Sequence, residues 1–136
     1  MPHRFAAHGC SVELEQREHF LFARMTGPDH GFGAMQACWS QILEDVKQRR
    51  APRLLVVDAL QGTPALHELM EIVNSVLAPA LAGVRVALVD GGSADRRYAE
   101  FAEVLLRRQQ VAAHTFGCES SAAEWLRGIG YKRDAA

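Results

Sequence analysis

What the sequence lacks narrows its function first. It holds no CxxC, HExxH, GxGxxG or Walker-type phosphate loop, so no dithiol redox pair, zinc-protease helix or nucleotide fingerprint is present. It lacks surplus charge: 15 Lys and Arg against 16 Asp and Glu leave a net charge of -1. That balance removes the broad attraction that nucleic acid or an anionic lipid surface needs, so no nucleic-acid partner is expected. Charged residues interrupt every apolar stretch, and none approaches the roughly 20 residues of a transmembrane helix. The opening MPHRFAAHGC lacks the apolar centre of a secretory signal, and none is expected. The three cysteines, Cys10, Cys38 and Cys118, are odd in number and far apart. That is the pattern of reduced thiols, and it leads to the expectation of a cytoplasmic protein without a disulfide framework.

What is present describes one folded domain. Hydrophobic residues make up 49% of the 136 and charged residues 23%, ordinary globular values that exclude disorder over most of the length. A chain of this size buries roughly two-thirds of its unfolded surface, enough for a core. Residues 1–10 show no periodicity and read as a flexible arm, 11–130 as the domain, and 131–136 as a tail. SVELEQREHFLFARMTG alternates apolar and polar residues and predicts two strands, near 11–16 and 19–26. In FGAMQACWSQILEDVKQRR, Met35, Cys38, Trp39, Ile42 and Val46 recur at helical spacing, with Lys47, Arg49 and Arg50 at the C-terminal end. RLLVVD is a continuous apolar run, as in a strand buried on both faces.

TPALHELMEIVNSVLAPAL predicts a helix with Thr63 as N-cap, Pro64 at its first position, and an apolar stripe of Leu66, Met70, Val73, Leu77 and Leu81. VRVALVDGGSADRRYAEFAEVLLRRQ repeats the plan: a strand, an acid, glycines, Ser93 as cap, and a helix. VAAHTF is a last strand, and ESSAAEWLRGIG a closing helix burying Trp125, Leu126 and Ile129. The order β-β-α-β-α-β-α-β-α predicts an α/β fold with a mixed, mostly parallel sheet flanked by helices.

The candidate site lies in the two strand-to-helix junctions. Asp58 and Asp90 end successive buried strands, and parallel pairing places both at the carboxyl edge, where open α/β sheets bind ligands. Gly62, Thr63 and His67 follow the first acid, and Gly91, Gly92 and Ser93 the second. The bland reading makes the acids turn residues and the hydroxyls caps. The functional reading gives a site for a small apolar or anionic ligand, or for a protein partner. Cys118 precedes a helix, a position that lowers a thiol pKa, and carries the alternative of a thiol-dependent redox protein or enzyme. His3, His8 and Cys10, with His19 or His30, match no zinc spacing. No metal, cofactor or catalytic residue is assigned. The broad stripe of the helix over 64–81 is either core or a surface for a homodimer.

Three stretches then suggest a family. LLVVDALQG, YAEFAEVLLRRQQVAAHTF and FGCESSAAEWL resemble the SpoIIAA-like branch of the STAS domain (sulfate transporter and anti-sigma factor antagonist), over roughly residues 11 to 128. The resemblance implies non-enzymatic, regulatory or ligand-binding work, including lipid-like carriage. In that family a phosphorylatable serine follows the acid that ends this strand. Here Asp58 is followed by Ala59 and Leu60, so the switch serine is absent. Phosphorylation then falls to Thr63 or Ser93 if it occurs at all.

Overall fold

The apolar run over residues 53–58 becomes the middle of the sheet. The computed structural model describes residues 3–7, 9–28, 30–91 and 97–128. Strand β4, Arg53–Leu60, alternates its side chains between two hydrophobic layers: Leu54 and Val56 on one face, Leu55 and Val57 on the other. Both layers are covered, as a continuous apolar run requires. Among the described residues six strands lie in chain order: β1 (His3–Ala7), β2 (Cys10–Gln16), β3 (Leu21–Gly27), β4, β5 (Arg85–Asp90) and β6 (Ala112–Phe116). The pairs β1–β2 and β2–β3 are antiparallel, and β3–β4, β4–β5 and β5–β6 are parallel. The fold is α/β with a mixed, mostly parallel sheet.

Within the segment read from the sequence as an arm, His3–Ala7 pairs with Cys10–Leu14 as an edge strand. Gly9, at φ +75°, supplies the left-handed turn between them. Five residues are too few to show a period, which is why the strand was not legible.

Parallel strands added in one direction by right-handed crossovers put every crossover helix on the same face. Accordingly α1 (Phe32–Arg49), the helix following β4 and α4 (Arg97–Arg108) share the larger core, with Met25, Cys38, Ile42, Ile72, Leu105 and Leu106 inside it. Helix α5 (Glu119–Arg127) follows the last strand and falls on the opposite face. Its Ala122, Trp125 and Leu126 pack on Leu55, Val57, Ala87, Val89 and Phe116. Ile129, expected on the same helix, lies outside the described residues.

The helix after β4 is not a single α-helix. It runs as α2 (Leu66–Ile72), a π-helical turn (Val73–Leu77) and α3 (Ala78–Ala80). The Ala78 N–H reaches back five residues to the Val73 carbonyl. Pro79 explains the widening: its ring would clash with the carbonyl four residues back and it has no N–H to donate. The wider turn moves the buried set to Leu69, Ile72, Val73, Leu77 and Leu81, and leaves Leu66 57% and Met70 40% exposed. The predicted stripe therefore holds from Val73 onward and fails at its first two members.

The cysteine expectation is also corrected. Cys10 and Cys38 form a disulfide with Cα atoms 6.4 Å apart, within the range such a bridge spans. It joins the start of β2 to the inner face of α1, two elements 28 residues apart in sequence. No spacing rule connects them, because the pairing depends on α1 folding back across β2. With the bridge in place, reduced thiols no longer argue for the cytoplasm. Among the described residues, no helix is long and apolar enough to cross a membrane.

Two outcomes follow from this architecture. Closing a loop of 28 residues stabilises by about 3–4 kcal/mol, so chemical denaturation after reduction should show a loss of that order. Denatured but unreduced protein should take up one alkyl group, at Cys118, and reduced protein three; three additions without reductant would remove the bridge. At Gly91 an added Cβ would lie 2.8 Å from Val57 Cγ1 and 2.9 Å from Ala59 Cβ. Gly91→Ala should therefore cost about 1–3 kcal/mol by overpacking, read as a lower urea midpoint at unchanged slope.

Candidate functional site

The register of the parallel strands builds the site. Asp58 pairs with Asp90 across β4 and β5, and strand alternation sends both toward the face that carries α1, α2 and α4. The chain then bonds the two junctions together: the Gly91 N–H donates to the Asp58 carbonyl at 2.9 Å. Asp58 also accepts the Leu60 N–H on Oδ1 at 3.1 Å, the local turn that the sequence suggested for it.

Asp58 has a second partner that the sequence did not reveal. His30, in the loop before α1, is 3% exposed and sits between two loops and a helix. Its Nδ1–H donates to the carbonyls of Gly62, at 2.7 Å, and Gln61, at 3.1 Å. Its Nε2 lies 2.9 and 3.1 Å from the two Asp58 carboxylate oxygens. The Tyr98 hydroxyl, from α4, is 2.9 Å from the same nitrogen, and the two rings meet edge to face at 4.7 Å.

This geometry favours a proton on both ring nitrogens. Carbonyl oxygens only accept, so Nδ1 carries a proton; an ionised carboxylate only accepts, so Nε2 carries one too. His30 is an imidazolium bonded to Asp58. Burial pushes its pKa down, but the hydrogen bond and charge of Asp58, with the Gly62 and Gln61 carbonyls, outweigh that, and the net shift is upward from 6.5.

The trio closes one end of a narrow cleft of about 40 Å³. Met35 and Trp39 of α1, Leu69 of α2, Leu77 of the π turn and Ala102 and Leu106 of α4 form its walls, with Val56 and Leu88 as its floor. Pro64 lines it too, and this accounts for the late start of α2. The N-cap is Ala65, at φ -69° and ψ 134°, where Thr63 had been expected. Pro64 is buried and Ala65 after it is extended, so the helix starts at Leu66 and Thr63 is left exposed.

The other expected residues divide. Gly62 adopts φ +79°, which turns its carbonyl to His30 and favours glycine there. Asp58, Gly62, Asp90 and Gly91 are brought together at the carboxyl edge. His67 is exposed on α2 and bonds to none of them among the contacts described. Gly92 and Ser93 lie outside the described residues. The sequence missed His30 and Tyr98. Tyr98 carried one usable signal, its helical spacing with the buried Leu105 and Leu106; His30 carried none beyond preceding a helix.

Cys118 stands apart from this cleft. It is exposed at the start of α5, and the Ser120 and Ser121 hydroxyls lie 3.3 and 3.4 Å from its sulfur. Ser120, followed by Ser121, lowers its pKa to about 7. His114, the nearest histidine in sequence, faces Glu103, Phe116 and Trp125 instead. The zinc set considered for the N-terminal region loses Cys10 to the disulfide and His30 to Asp58.

The shifts make two outcomes checkable. A histidine whose folded pKa is raised stabilises fully below its unfolded value, near 6.5, and loses that contribution as pH rises through the folded value. The wild-type melting temperature should therefore fall across this window relative to Asp58→Asn, whose curve should be flatter; parallel curves would separate Asp58 from the titration. At pH 7 roughly half of Cys118 is thiolate, so iodoacetamide should label it readily. A Ser120→Ala, Ser121→Ala double variant should label more slowly at that pH, and equal rates would remove the hydroxyls as the cause.

Comparison with protein-family models, with curated proteins and with solved structures finds no match to this chain.

Proposed function

We propose that this chain is a STAS-like module of the SpoIIAA-like kind that works by binding and not by catalysis, with its site at the carboxyl edge of β4 and β5. The observation that carries this reading is the apolar cleft closed by His30, Asp58 and Tyr98. A mostly apolar cavity with a few convergent polar groups and a perturbed histidine, at the carboxyl ends of parallel strands, is the usual form of a small-molecule site.

Two features support binding over chemistry. The three polar groups are spent on one another, and no serine or cysteine nucleophile is among the described residues lining the cleft. The switch serine of anti-sigma antagonists is absent after Asp58, which argues against kinase-controlled partner release. The cavity's size argues against carriage of a whole lipid chain: about 40 Å³ holds roughly three water-sized groups, whereas drug-sized ligands take 300 Å³ or more. A protein partner is the neighbouring possibility. Leu66 and Met70, one turn apart on the outer side of α2, offer it an exposed apolar foothold beside the cleft. A cytoplasmic setting belongs to this reading only where Cys10 and Cys38 are reduced.

The test is native mass spectrometry of freshly purified protein, repeated after denaturation. The reading expects a small non-covalent mass that is lost on denaturation, and lost also from a Leu69→Trp variant that fills the cleft. A bare mass in both samples, together with unchanged melting against a small-molecule library, would overturn it.

A further inference from the structure

The sheet has two edges, and the chain treats them differently. Side chains of α4 occupy the outer edge of β6. The Thr115 N–H donates to Glu103 Oε1 at 2.6 Å, and the Ala113 carbonyl accepts from Arg107 Nε at 2.7 Å. Glu103 and Arg107 lie 3.5 Å apart and hold each other in place, so a strand could add there only by displacing them. Strand β1 ends the other side of the sheet, and among the described residues nothing pairs with its outer side. An open strand edge is a template for another chain.

The phase of the ladder identifies the groups that β1 leaves open. The Arg17 N–H donates to the Phe20 carbonyl at 2.9 Å. Bonded pairs between β2 and β3 then recur at every second residue: Glu15 with Phe22, Glu13 with Arg24, Ser11 with Thr26. The alternate residues of β2, Val12 among them, bond to β1, where Val12 meets Phe5. Arg4 and Ala6 are left with their N–H and C=O groups turned outward. Those four groups are self-complementary. A two-fold axis beside Phe5 sets Arg4 against Ala6 of a second copy, and both such pairs exchange two hydrogen bonds.

We propose that β1 pairs antiparallel with β1 of a second copy of this chain about that axis, closing a dimer whose sheet runs through both copies. Three observations favour a second copy over a foreign strand. Phe5 is only half-buried against the larger core, and across the axis it meets Phe5 of the other copy, so each covers the other's open side. On the opposite face the row reads Glu13, Arg4, then Ala6 and Ser11 of the second copy. Arg4, 3.8 Å from Glu13, therefore has no like charge directly opposite, and the two Arg4 residues are diagonal neighbours about 7–8 Å apart. Finally, the blocked β6 edge stops addition at two copies, where two open edges would build a fibre. The dimer surface is thus the sheet edge and not the helix over 64–81. So short a ladder is smaller than a standard interface, which makes the association weak and concentration-dependent.

The experiment is sedimentation of the full chain from micromolar to millimolar concentration, for the wild type and three variants of the exposed Ala6. Ala6→Pro removes one outward N–H from each copy, a change that edge strands tolerate. Ala6→Glu and Ala6→Lys set an opposite or a like charge against Arg4 of the second copy. The expected result is a monomer–dimer equilibrium for the wild type that Ala6→Pro abolishes. Ala6→Glu should lower the dissociation constant several-fold and Ala6→Lys raise it several-fold. A wild type that stays monomeric throughout overturns the proposal. So does a dimer that survives in folded Ala6→Pro, which would point to another surface such as Leu66 and Met70. If Ala6→Pro does not fold, the charge variants decide: dissociation constants equal to the wild type in both overturn it.

Discussion

Both ring nitrogens of His30 face acceptors, and that fact ties the Gln61–Gly62 loop, Asp58 and Tyr98 to one point at the carboxyl edge. One nitrogen bonds the Gly62 and Gln61 carbonyls and so fixes the loop between β4 and α2; the other bonds Asp58 and meets Tyr98 from α4. A buried imidazolium is costly unless it is paired, and here its partners come from three separate segments. The loop before α1, the end of β4 and the start of α4 are thereby held at one point. Replacing His30 would leave a carboxylate and two carbonyls without their donor, so this residue ties local turn chemistry to the global packing of the helices.

The walls around that point depend on backbone departures from ideal geometry. Pro79 forces the π turn that carries Leu77 into the cleft, and Pro64, two residues before α2, lines it as well. Gly91 allows β5 to turn against β4 where any side chain would meet Val57 and Ala59. The Cys10–Cys38 bridge belongs to the same layer: Cys38 lies on α1 between Met35 and Trp39, both of which line the cleft.

Much of the fold was legible in the sequence. The period of 3.6 over Met35–Val46, the unbroken apolar run of β4 and the repeated strand–acid–glycine plan each follow from burial on one face or two, and each appears in the structure. The five-residue β1 was too short to show a period, and the phase of α2 was lost because a π turn shifts the helical count by one. The site was only half legible. Asp58, Asp90, Gly62 and Gly91 lie in strand ends and turns, where residue type betrays local geometry. His30 reaches Asp58 across 28 residues of sequence and Tyr98 reaches His30 across 68, and the disulfide likewise joins distant segments. Side-chain partnerships of that kind are set by tertiary packing and leave no spacing to read.

His30 acts as a buried imidazolium that donates from both nitrogens. The most direct measurement is the pair of imidazole nitrogen chemical shifts of His30, followed by nuclear magnetic resonance from pH 5 to pH 9. Both nitrogens should carry protons at pH 6.5, and their shifts should move together at a midpoint above that value. A neutral ring at pH 6.5, with one nitrogen unprotonated, would contradict it.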